Sequence, residues 1–181
     1  VDQRGAPDIS WIARLAAAIL DHYGHAQADV LGISWGGAAA QKFARSCAAR
    51  CRRLILAATA TGMVMIPTHP RVAWKMATPQ RFVSKRYARS IAGDIYGGDF
   101  RKDAGLVDLH LKHVKWQSRL GYYLQLAAIW GWTSIHYLHR LRQQTLLLAG
   151  RDDPLVPLLN ARLMHALLPN SELHVFDCGH L

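Results

Sequence analysis

Apolar positions along this chain follow two different rhythms. Ile12, Leu15, Ala16, Ile19 and Leu20 recur at helical spacing behind Asp8 or Ser10, either of which can cap a helix that Gly24 stops. Ala28-Asp-Val-Leu-Gly-Ile33, Arg53-Leu-Ile-Leu-Ala57, Thr145-Leu-Leu-Leu-Ala149 and Glu172-Leu-His-Val-Phe176 are instead short, largely apolar runs that read as strands. Residues 36–49, rich in small side chains at their start, predict a helix after the first run. Leu163 to Leu168 predicts another, closed by Pro169-Asn170. Helices alternating with near-continuously apolar strands imply an α/β fold with a mostly parallel sheet covered by helices on both faces.

One stretch breaks this alternation. Between Gly62 and Leu141 the pattern is helical in four segments, 71–77, 82–91, 104–114 and 122–129, with no clear strand. It reads as a helical insertion, or lid, between two strands of one sheet. The expected organisation is therefore a core in two parts, residues 1–61 and 142–181, with the lid at 62–141.

Composition changes this picture little. The chain has 181 residues, of which 51% are hydrophobic and 19% charged, enough for one sizeable core. No apolar run approaches the roughly 18 residues that a membrane span requires. Val1 to Pro7 lack the charged-then-apolar order of a signal peptide. Cys47, Cys51 and Cys178 are odd in number and have no Cys or His partner at metal-ligand spacing, so they read as reduced thiols, and no metal site is expected.

The formal net charge of +10 raises the question of an anionic partner. Thirteen Lys/Arg against four Asp/Glu lie between Gly62 and Arg142, so nearly all the excess sits in the insertion. Eleven of the 16 aromatic residues lie there too, among them Trp74, Trp116, Trp130 and Trp132. A basic, aromatic surface suits single-stranded nucleic acid or an anionic or greasy interface. No RNP, KH or zinc-finger pattern accompanies it, which argues against nucleic acid. The default reading is a helical lid with a solvated outer face.

The chemistry begins at Gly32-Ile33-Ser34-Trp35-Gly36, a G-x-S-x-G placed after a predicted strand and before a predicted helix. That context suits a nucleophile elbow, in which small flanking residues permit a tight turn and the serine is presented at the carboxyl edge of the sheet. His180 follows the last strand and would act as base. The acid is expected after the preceding strand, where Asp152 and Asp153 compete. The fourth position of G-x-x-D favours Asp153, leaving Asp152 a turn hydrogen bond, and Asp177 lies too near His180 in sequence. The order Ser34, Asp153, His180 is that of the α/β-hydrolase fold. One oxyanion donor would be the backbone N–H of Trp35 at the helix N-terminus. The second normally comes from a loop after an early strand, which this chain does not contain. A chain ending one residue after its base is expected to be part of a longer protein, with the first strands before Val1 and a closing helix after Leu181.

Several stretches also resemble the intracellular depolymerases of medium-chain-length poly(3-hydroxyalkanoate). They are Ala28-Asp-Val-Leu-Gly-Ile-Ser-Trp-Gly-Gly37, Cys51-Arg-Arg-Leu-Ile-Leu-Ala-Ala-Thr-Ala60, Asp94-Ile-Tyr-Gly-Gly98, Leu120-Gly-Tyr-Tyr-Leu-Gln125, Gly131-Trp-Thr-Ser-Ile-His136 and Leu147-Leu-Ala-Gly-Arg-Asp-Asp-Pro154. The resemblance implies an α/β-hydrolase core with a cap, a Ser34–Asp153–His180 triad, no cofactor, and hydrolysis of stored polyester on cytoplasmic granules. Arg151, where an acidic residue is expected, and Cys178 beside the histidine depart from that family. An alkyl polyester needs an apolar, aromatic cleft, for which Trp35, Tyr122, Tyr123, Trp130 and Trp132 are candidates, although each also suits lid packing.

Two other readings remain. A related hydrolase of small soluble esters or carbon–carbon bonds would share the triad and differ in its lid. An inactive fragment, or a non-catalytic binding module, would share only the scaffold. A polyester synthase is disfavoured, because such enzymes carry cysteine where this chain has Ser34.

Overall fold

In the computed structural model, residues 8–113 and 118–180 are described. The readings placed on Val1–Pro7, Val114, Trp116 and Leu181 lie outside the described residues. The elements run α1 (Ile9–His22), β1 (Ala28–Ile33), α2 (Trp35–Ser46), β2 (Cys51–Ala57), α3 (Pro70–Met76), α4 (Gln80–Val83), α5 (Lys85–Tyr96), α6 (Ala104–His113), α7 (Arg119–Ile129), β3 (Gln144–Gly150), α8 (Leu158–Leu167) and β4 (Ser171–Phe176). Among the described residues the strands form one sheet in the order β1-β2-β3-β4, every pair parallel. The α/β architecture expected from the apolar rhythm is therefore present.

Local chemistry explains the boundaries. Asp8 caps α1, its carboxylate accepting the Trp11 N–H at 2.7 Å, and Gly24 beyond the helix takes a positive φ. Residues 36–49 do not form one continuous helix. The helix α2 ends at Ser46, and a short 3₁₀ turn over Ala48–Arg50 leads into β2. The segment 82–91 is likewise two helices, because Ser84 leaves helical geometry and its hydroxyl caps α5 through the Tyr87 N–H. Apolar periodicity runs straight through that break and conceals it.

The core lies on one face of the sheet. Leu54, Leu56 and Leu147 point into a cluster with Ala13 of α1, Phe43 and Ala44 of α2, and Met164 of α8. These residues are nearly or fully inaccessible. At about 25 cal/mol per Å² of apolar surface, this cluster is the main stabilising feature of the sheet. The opposite face is not covered to the same degree, since Leu31, Ile33 and Phe176 are 58%, 49% and 45% exposed. The expectation of cover on both faces is thus met on one face only among the described residues. Alternating exposure along β1 and β4 records the asymmetry.

The residues between β2 and β3 carry α3 to α7 and hold two small apolar groups. Val72, Ile91 and Ile95 form one, with Leu155 of the loop after β3 packed on it, and Ala92, Phe100 and Val107 form the other. The entry and exit of this segment are tied together by an isolated antiparallel bridge between Gly62 and Thr133. Gly62 has φ +88° there, and a Cβ would stand 2.4 Å from the Trp132 carbonyl oxygen, so only glycine fits. The three cysteines are free thiols, and burial, followed by the nearby Asp29 charge, pushes Cys51 up to about 11.

Candidate active site

All four parallel strands point their carboxyl ends at the same edge, and three of the connections there carry the site. Ser34 follows β1 directly, at φ +50° and ψ −119°, a conformation that costs a non-glycine residue on the order of 1–3 kcal/mol. Its surroundings hold it in place. The Ser34 N–H donates to the Ala57 carbonyl at 2.9 Å, extending the β1–β2 ladder by one bond. The Thr59 hydroxyl donates to the Ser34 carbonyl at 2.7 Å.

Close approach around this turn requires glycine at two places. A Cβ on Gly32 would lie 2.6 Å from the Gly36 carbonyl oxygen, and one on Gly37 2.3 Å from the Thr59 hydroxyl. Gly36 is different, with open space where its Cβ would be. The expectation that both residues flanking the serine motif must lack side chains holds for Gly32 and is corrected at Gly36, where Gly37 carries that constraint instead.

His180 and Asp153 are both buried and joined. The His180 Nδ1–H donates to Asp153 Oδ2 at 2.7 Å, and His180 Nε2 stands 3.0 Å from the Ser34 hydroxyl oxygen. Their side chains are 4% and 1% exposed, so bulk water does not compete for these bonds. The second carboxylate oxygen of Asp153 accepts the N–H groups of Leu155 and Val156 at 2.9 and 2.8 Å. A carboxylate bonded three ways has one orientation, and it fixes the imidazole tautomer with Nε2 free to accept the serine proton.

Trp35 occupies the first position of α2, where a backbone N–H has no intrahelical partner and the helix dipole favours negative charge. Its indole N–H donates to the Gln125 carbonyl at 2.9 Å, linking the residue after the serine to α7. The other proposed cleft residues are distributed differently. Tyr122 is buried, its hydroxyl donating to the Met76 carbonyl and accepting from Arg81 Nη1 at 3.1 Å. Trp132 packs against the main core and against Gly62. Both side chains are engaged in packing, the role that each was also expected to suit. Tyr123 and Trp130 lie on the outside of α7 and its end, 48% and 77% exposed.

The competing acids also have partners. Asp177 pairs with Arg151 at 2.6 Å on the surface, so the basic residue at 151 has a carboxylate beside it. Asp152, expected to make a turn hydrogen bond, instead reaches across to the inserted segment, accepting the Gly98 N–H at 2.8 Å and the Arg101 Nε–H at 3.0 Å. Nothing local in the sequence signals that contact; its clue is the Gly97-Gly98 pair, which permits a close backbone approach. Among the described residues no group of three or more His, Cys, Asp and Glu is gathered to hold a metal, and no helix is long and apolar enough to cross a membrane.

Comparison with known proteins adds a family. Residues 6–181 match the family described as the alpha/beta hydrolase fold. The chain is 51% identical over 170 residues to a poly(3-hydroxyalkanoate) depolymerase of Ectopseudomonas oleovorans, covering 94% of this chain and 60% of that protein. It is 29% identical over 183 residues to a 2-hydroxymuconate semialdehyde hydrolase of Pseudomonas putida, covering 94% and 61%. Among solved structures, a meta-cleavage product hydrolase from Pseudomonas fluorescens superposes with a TM-score of 0.75 at 23% identity, over 99% of this chain and 67% of that one. The chain thus spans about 60% of the length of the curated relatives it matches.

Proposed function

The chain belongs to the α/β-hydrolase fold family, and from that premise we propose that its protein is a serine esterase cleaving stored medium-chain-length poly(3-hydroxyalkanoate). The observation that carries the chemistry is the continuous chain from the Ser34 hydroxyl through His180 to Asp153, with links of 3.0 and 2.7 Å. The substrate class is supported by the 51% identity to a poly(3-hydroxyalkanoate) depolymerase, well above the 29% to a 2-hydroxymuconate semialdehyde hydrolase.

In this reading His180 Nε2 takes the Ser34 proton as the hydroxyl oxygen attacks an ester carbonyl. Asp153 holds the imidazolium that forms. Charge on the carbonyl oxygen is met by the Trp35 backbone N–H, a donor of the kind worth a few kcal/mol in such reactions. His180 then returns the proton to the departing hydroxyl of the polymer, leaving an acyl-enzyme on Ser34. Water, deprotonated by the same imidazole, releases the 3-hydroxyacid. Each step uses side chains and backbone of this chain, and no cofactor enters.

The segment 62–141 is read as the lid over this centre, with core parts 1–61 and 142–181 on either side. Its excess of Lys and Arg and the exposed Tyr123 and Trp130 suit the surface of a cytoplasmic storage granule. A second reading, hydrolysis of small soluble esters or carbon–carbon bonds, would use the same three side chains. Release of 3-hydroxyacid from an amorphous medium-chain polyester latex by the intact protein separates the two. Release abolished by Ser34→Ala is the expected result. Serine-dependent cleavage of a soluble octanoate ester without release from latex would keep the esterase and remove the depolymerase.

A further inference from the structure

Three segments from different parts of the chain meet backbone to backbone beside His180. They are the end of α5 with the turn after it, the loop after β3, and the loop after β4. The His180 N–H donates to the Tyr96 carbonyl at 2.6 Å, and the Asp152 N–H donates to the Cys178 carbonyl at 3.0 Å. Four glycines make the approach possible. A Cβ on Gly179 would stand 1.9 Å from the Tyr96 carbonyl oxygen, and one on Gly150 1.9 Å from the Gly179 carbonyl oxygen. On Gly97 it would be 2.0 Å from the Asp152 carbonyl oxygen, and on Gly98 2.3 Å from the Gly179 nitrogen.

One charged pair closes this junction. Asp152 Oδ2 accepts from Gly98 N–H at 2.8 Å and from Arg101 Nε–H at 3.0 Å, while Oδ1 accepts from Arg101 Nη2 at 3.2 Å. The geometry is a two-pronged guanidinium–carboxylate contact, and the Arg101 hydrogen bond followed by the Gly98 amide holds the Asp152 carboxyl below the usual carboxylate range. Asp152 sits next to Asp153, and the Gly97–Gly98 backbone that it grips also contacts the loop bearing His180.

We propose that Asp152 and Arg101 are positioning residues, a clamp from the inserted helices that sets the distance between Asp153, His180 and Ser34. The inference rests on the serine-hydrolase reading above. It assigns the base of the insertion a fixed structural role in the catalytic frame, distinct from any covering role of its outer helices. Both side chains are about half exposed, 43% for Arg101 and 55% for Asp152, so the pair adds little to global stability. Its effect is geometric. A displacement of about 1 Å at a reacting group can lower turnover on the order of a hundredfold.

The test uses the intact protein and a soluble p-nitrophenyl octanoate substrate, so that polymer access plays no part. Arg101→Ala, the isosteric Asp152→Asn and the double variant are each titrated to completion with an alkyl fluorophosphonate to count reactive serines. The clamp predicts turnover per titrated site lowered about tenfold or more, with KM within about twofold. It also predicts a double variant no worse than the singles, because the two residues act together. Fewer titratable sites with unchanged turnover per site would mean a merely structural pair and would overturn the proposal, as would unchanged turnover in both single variants. Ser34→Ala is run alongside. Hydrolysis persisting in it would remove the serine reading and the clamp together, whereas a dead Ser34→Ala with fully active Arg101→Ala and Asp152→Asn removes the clamp alone.

Discussion

The sheet and the segment inserted between β2 and β3 are held by different means. In the sheet, stabilisation comes from side-chain volume. Leu54, Leu56 and Leu147 of the strands sit in one cluster at 0–1% exposure, sharing neighbours from three helices. The inserted helices own only small clusters, and polar contacts at a few points fasten them to the sheet. Asn160 of α8 accepts the Ile66 N–H at 2.8 Å and donates to the Ile66 carbonyl at 2.9 Å. Gln41 of α2, fully buried, donates to the Ala60 carbonyl at 3.0 Å and accepts the Ser134 hydroxyl at 2.6 Å. The clamp through Asp152 and the bond from His180 to Tyr96 complete the attachment. A core built on volume tolerates no holes but little depends on any one polar atom. An attachment built on single hydrogen bonds depends on each atom, and here it meets the sheet at the edge where Ser34, Asp153 and His180 converge.

The contrast can be broken most sharply at Leu147. Truncation to alanine leaves a cavity between β3 and the helices, and the expected cost is about 2–5 kcal/mol. Urea unfolding of the intact protein measures it, with turnover per folded molecule expected to stay unchanged. A cost below about 1 kcal/mol would mean that the sheet does not depend on volume in the way described.

A smaller effect is expected at Asn160. Replacement by leucine keeps the bulk and orphans the Ile66 N–H and carbonyl, at about 1–3 kcal/mol for each buried group left unsatisfied. The loss should be local. Limited proteolysis is expected to cut first near Ile66, well before the sheet unfolds. Uniform destabilisation without new cleavage there would place Asn160 with the core rather than with the attachment.

This difference also explains what was legible in the sequence. Strands betray themselves by unbroken apolar runs, so 28–33, 53–57, 145–149 and 172–176 all fall within strands, whose ends extend them by up to two residues. The convergence of Ser34, Asp153 and His180 was readable because each follows a strand, in an order the topology turns into proximity. The attachment was not readable, since Asp152 and Arg101 lie 51 residues apart and neither belongs to a periodic pattern. The break at Ser84 was hidden for a related reason. Apolar spacing continues across it, and only the cap from its own hydroxyl reveals the new helix. Cover on both faces was read from strand composition, which reports how apolar a face is and not what lies on it. Tyr122 and Trp132 were assigned by residue type, which carries no information about the packing contacts that the structure gives them.

The central claim is that Ser34 is made reactive by His180 and Asp153. The most direct measurement is the rate and location of phosphonylation when the intact protein meets a long-chain alkyl fluorophosphonate. Peptide mapping is expected to find the adduct on Ser34, formed on the order of a thousandfold more slowly in His180→Ala, as befits removal of the general base. An adduct on another residue, or an undiminished rate on Ser34 without His180, would contradict the account.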